Sequence, residues 1–177
     1  MRFDKKMDRY VSGGAGASGR VPPRCGAEWL VGVGFRCWLA GYDTGDIACW
    51  ENGWNEYARA LGAERARRAV TELACFVRAV RASASRKIAY SPFGCPGFCA
   101  DECLAISLIA ASQHHRCPAM RACALALTGS DRVDPVLETA NAFADALHQA
   151  DQHLSPDAVA ALMAGGRKGG GSGLALS

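Results

Sequence analysis

Four times in the second half of the chain, proline follows a residue suited to opening a helix: Cys95-Pro96, Cys117-Pro118, Asp134-Pro135 and Ser155-Pro156. Proline's fixed φ fits the first helical turn, and its missing N–H would have no intrahelical partner there. These marks predict helices over 96–113, 118–128, 135–153 and 156–164, with Gly129 and Gly165 as C-terminal stops.

Upstream, Ile47, Trp50, Trp54, Tyr57 and Leu61 fall on one stripe at helical spacing, which predicts a helix over 44–61 with an aromatic core face. Ala66, Val70, Leu73, Val77 and Val80 predict another over 63–82. Segment 27–41 is ambiguous. Its glycines lower helix propensity, although its neighbours favour a short helix over an isolated strand. No strand-like alternation of useful length occurs, so the expected fold is an all-α, single-domain bundle of five to six helices.

The domain is expected to span 27–164. Residues 1–26 read as a flexible arm, charged and then Gly/Ser-rich, and 165–177 as a flexible Gly-rich tail. The 177-residue length suits one domain. The N-terminus has no apolar h-region, and the apolar stretch 29–42 is broken by Arg36 and too short to cross a bilayer. The expectation is a cytoplasmic protein with no membrane segment, in whose reducing surroundings cysteines are ligands, catalysts or core residues rather than disulfides.

Residues 90–127 hold five of the nine cysteines and two of the four histidines. Cys95, Cys99 and Cys103 stand at i, i+4 and i+8, so on one helix they drift only about 80° and share a face. The outer two would then be about 12 Å apart along the axis. With zinc–sulfur bonds of about 2.3 Å, three thiols of one straight helix cannot meet one zinc. If 96–113 and 118–128 form an antiparallel hairpin, the better thiolate set is Cys99, Cys103 and Cys123. Cys117, His114 and His115 would form a second candidate at the turn.

Thiolates in such a set suit copper(I), zinc or an iron–sulfur cluster, though familiar cluster spacings are absent. The row resembles that of cysteine-lined four-helix copper-storage bundles over residues 95–123, and the resemblance implies a soft-metal cargo. Those bundles carry many more inward thiols, across several helices. The leading expectation is a sensor, carrier or accessory factor that binds a soft metal or cluster.

Two other functions are open. The cysteines can be core packing in a cofactor-free interaction protein, since free cysteine behaves as a small hydrophobe. Alternatively, Cys95 at a helix N-cap, with Cys99 one turn on, can support thiol redox chemistry. The net charge of +3 does not demand an anionic partner. The basic stretch 59–87 and the acidic stretch 131–157 are explained by two oppositely charged helices side by side. An unidentified protein partner or a homo-oligomer fits that reading, and no nucleic-acid motif is present. No phosphate loop, nucleophile elbow or H-E-x-x-H supports an enzyme.

Overall fold

The computed structural model describes residues 26–156, and the expected arm, tail and most of the helix 156–164 lie outside that range. Six helices follow in order: α1 (Ala27–Thr44), α2 (Ile47–Leu61), α3 (Ala63–Ser83), α4 (Ala100–Gln113), α5 (Cys117–Thr128) and α6 (Asp134–Gln149). Among the described residues there is no strand, and the all-α bundle is the fold.

The ambiguous segment becomes the centre of the molecule. α1 buries residues around nearly its whole circumference, from Trp29 and Leu30 to Trp38 and Leu39. Its glycines are points of close approach rather than weaknesses. At Gly34 an added Cβ would lie 2.7 Å from Leu73 Cδ2 of α3 and 2.7 Å from the Tyr57 hydroxyl of α2. Tyr57 is itself fully buried and donates to Leu30 O at 2.9 Å, which ties α2 onto α1.

α4 and α5 form the expected antiparallel hairpin, α2 packs on α1 and α3, and α6 closes the bundle against α3 and α4. The oppositely charged helices do lie side by side, with Arg65 Nη1 3.0 Å from Asp151 Oδ2 just beyond α6. Both partners are exposed, so this pair adds little stability.

Three local expectations need correction. Cys95-Pro96 does not open a helix; α4 begins at Ala100 with Cys99 as its N-cap. Glu102, three residues on, takes the Cys99 N–H at 2.7 Å and closes a capping box, and that fixes the start one turn later. Cys117 is the first helical residue of α5, and Arg116 is the N-cap. Ile47, expected to face inward, is 65% exposed, because it heads α2 at the corner just beyond the end of α1.

Candidate functional site

Residues 84–99 join α3 to α4 without regular structure. A loop of this length inside a compact domain needs partners for its backbone. They come from two adjacent acids in the first turn of α4 and from one arginine of α1.

Asp101 holds the first half of the loop. It accepts from Arg86 Nη1 at 2.8 Å, Arg86 Nη2 at 2.6 Å and the Ala89 N–H at 2.7 Å. Burial alone would raise the Asp101 carboxyl, but Arg86 and the Ala89 amide outweigh it and hold the group below its usual range. Glu102 holds the second half, accepting from Ser91 N at 3.0 Å, Ser91 Oγ at 3.0 Å and Cys99 N.

Arg36 completes the frame. It is 1% exposed and pairs with Glu102, Nε to Oε1 at 2.7 Å and Nη2 to Oε2 at 3.1 Å. Its other bonds go to loop carbonyls: Nη1 to Pro92 O at 3.2 Å and Cys95 O at 3.0 Å, and Nη2 to Gly97 O at 2.6 Å. That employs every N–H a guanidinium has. The Phe98 ring lies 5.2 Å from the guanidinium carbon and packs on Trp29.

Pro92 and Cys95 are the corners of a tight turn, closed by Cys95 N donating to Pro92 O at 3.1 Å. Gly94, at the third position, has φ +90°, which only glycine adopts without strain. Arg36 Nη1 thus grips both corner carbonyls from inside while Phe93, at the second position, is 52% exposed outside. The frame presents one aromatic ring on a fixed turn.

Comparison with protein-family models, curated proteins and solved structures returns no match.

The thiols sit around this frame in two ways. Cys99, half-buried, points its Sγ at Ala89 O at 3.4 Å, and burial pushes its thiol up despite the amides of the helix start. Cys103, one turn on, reaches Phe98 O at 3.9 Å and is pushed up to about 11, first by burial and then by the charges of Cys99 and Glu102. Both therefore stay protonated near neutral pH, which counts against Cys99 as a redox partner for Cys95. Cys95 itself is half-buried in the turn.

Cys123 is fully buried in α5, and burial alone raises its thiol; no neighbouring cysteine contributes. Cys37, buried in α1, is pushed up to about 12 by burial and then by Cys49. Among the described residues, no three His, Cys, Asp or Glu side chains are gathered as a metal site. Of the set Cys99, Cys103 and Cys123, the structure couples the first two.

The second candidate lies at the other end of α4. His114 Nε2 is 2.9 Å from Leu154 O, so that ring is committed to anchoring the segment after α6. His115 and Cys117 are exposed and line one cavity together with Met120.

Native-state alkylation separates these environments. Cys117 is expected to label first and half-buried Cys49, Cys75 and Cys95 more slowly, with Cys37 and Cys123 labelling only on unfolding. Time-resolved peptide mass spectrometry checks the order, and labelling of Cys123 as fast as Cys117 would contradict the burial of α5.

The sequence reasoning missed Arg36, Asp101, Glu102 and Arg86 as organisers. Two signals were available: a lone arginine inside the apolar run "WLVGVGFRCWLAGY", and the Cys99-x-x-Glu102 spacing of a capping box.

Proposed function

We propose that this chain is an interaction or regulatory module whose working surface is the turn 92–95 and its flanks, displaying Phe93. The observation that carries this is the double grip of Arg36 Nη1 on Pro92 O and Cys95 O. A buried Arg–Glu pair gives no more stability than well-packed apolar residues would, so its use here points to a loop whose shape matters. Exposed aromatic side chains on pre-organised backbone are effective binding anchors, because little entropy is lost on docking. Among the described residues no helix is long and apolar enough to cross a membrane, and the proposed partner is a protein.

A photo-crosslinking residue placed at position 93 in the native host tests this. A discrete adduct is expected from position 93 and not from positions 47 or 125, which also carry exposed apolar side chains. No adduct, or equal adducts from all three, overturns the proposal.

A second reading keeps the soft metal. Cys99 and Cys103 stand four residues apart at the start of α4, and Cys99 is among the groups that raise the Cys103 thiol. A cation there must displace two protons that burial holds in place and break two S–H contacts to carbonyls.

A further inference from the structure

A pocket of about 180 Å³ is lined by Leu39 and Asp43 of α1, Arg81 of α3, and Arg86, Lys87 and Ile88 of the loop. It is smaller than the roughly 300–1,000 Å³ of a small-ligand site, and suits a single side chain of a larger partner. Three cations meet one carboxylate in this lining, and the two arginines are already matched. Arg81 Nη2 lies 3.1 Å from Asp43 Oδ1, and Arg86 Nη2 2.6 Å from Asp101 Oδ1.

Lys87 is the uncompensated charge. It is exposed and, among the described residues, has no ion-pair partner. A cation in the last turn of a helix is accounted for by the helix dipole, as Arg81 is in α3. Lys87 stands four residues past Ser83, where α3 ends, and the dipole does not account for it.

The pocket lies close to the displayed ring. Tyr90 borders it, since burial and then the Asp43 carboxylate raise the Tyr90 hydroxyl. Phe93 follows three residues on, so the two Cα atoms are at most about 11 Å apart. About five residues of one extended segment can therefore reach from the pocket to Phe93.

We propose that the partner of the Phe93 surface is a protein segment whose acidic side chain enters this pocket and pairs with Lys87, while an apolar residue a few positions away packs on Phe93. This builds on the Phe93 reading and adds the partner's chemistry. A carboxylate gains a charge-assisted hydrogen bond from the ammonium. A nucleic-acid strand fits less well, because Asp43 in the lining and Asp46 at the nearby corner repel a repeating phosphate backbone.

The test uses the full chain in the native host, with the photo-crosslinking residue at position 93 and Lys87→Glu or Lys87→Arg added. Circular dichroism of both variants should match the parent, as the Lys87 side chain is exposed. Lys87→Glu is expected to reduce the adduct at least about tenfold, because like charges facing across an interface are strongly unfavourable. Lys87→Arg is expected to keep it. Mass spectrometry of the adduct should find an Asp or Glu within about five residues of the crosslinked position.

An adduct unchanged by Lys87→Glu, or one with no acid in that window, overturns the acidic partner and leaves the Phe93 reading standing. A nuclease-sensitive adduct, or a covalent dimer of this chain, overturns it in favour of another occupant. If the parent gives no adduct at position 93, the Phe93 reading itself has failed and the acidic partner falls with it.

Discussion

Arg36→Met is expected to lower stability by about 3–5 kcal/mol, the usual effect of removing one partner of a buried ion pair. The reason lies in what the variant leaves behind. Glu102, fully buried, is left with no cation beside it, the carbonyls of Cys95 and Gly97 lose the Arg36 donor, and Pro92 O keeps only the Cys95 N–H. A domain of this size is stable by about 5–15 kcal/mol, so the loss is a large share of the total. Urea denaturation measures it.

The double variant Arg36→Met/Glu102→Leu should recover most of that stability, because it leaves no unpaired charge in the core. It should not recover the loop. Ser91 and Cys99 donate their N–H groups to Glu102, and in the double variant those amides have no acceptor. Hydrogen exchange at the two amides is expected to speed up while the helices stay protected. A single variant within about 1 kcal/mol of the parent would show that the pair does not hold the loop.

The separation between the two partners explains why this part of the site was hard to read from sequence. Arg36 and Glu102 are far apart in the chain, and neither position by itself names the other. The local marks at Cys95-Pro96 and at Cys99-x-x-Glu102 compete for the start of α4. The contest is settled by Glu102 capping Cys99 and by Arg36 drawing the carbonyls of 95 and 97 into a loop. Where no such long-range partner intervenes, as at Pro118 and Pro135, the proline mark placed the start of the helix to within a residue, although α6 ends at Gln149, short of the expected 153. The cysteine spacing was equally legible, but its meaning depended on where the helix began. With α4 starting at Ala100, Cys103 alone of the three lies inside it, and the straight row is broken before any metal is considered.

Glycine in α1 was misleading for a related reason. Helix propensity counts what glycine costs an isolated helix and is silent about what it permits between helices. Gly34→Ala therefore sets two effects of opposite sign against each other. The substitution gains up to about 1 kcal/mol of helix propensity. Against that, its Cβ would lie 2.7 Å from Leu73 Cδ2, 2.7 Å from the Tyr57 hydroxyl and 2.8 Å from Tyr57 Cε2.

Neither neighbour is free to give way. Leu73 is fully buried in α3, and Tyr57 is fully buried and fixed by its bond to Leu30 O. Overpacking of this kind costs about 1–3 kcal/mol, and relief by moving Tyr57 forfeits about 0.5–1.5 kcal/mol of hydrogen bond as well. The net expectation is a loss of about 1–3 kcal/mol in urea denaturation, with packing outweighing propensity.

Gly97→Ala is the control, because nothing lies within 4 Å of its added Cβ, and it should be close to neutral. Adding Tyr57→Phe to Gly34→Ala removes the hydroxyl contact but leaves the ring and Leu73 in place. A double-mutant cycle should therefore show partial rescue rather than full rescue. A Gly34→Ala protein as stable as the parent would mean that α2 and α3 can step back from α1 at little cost.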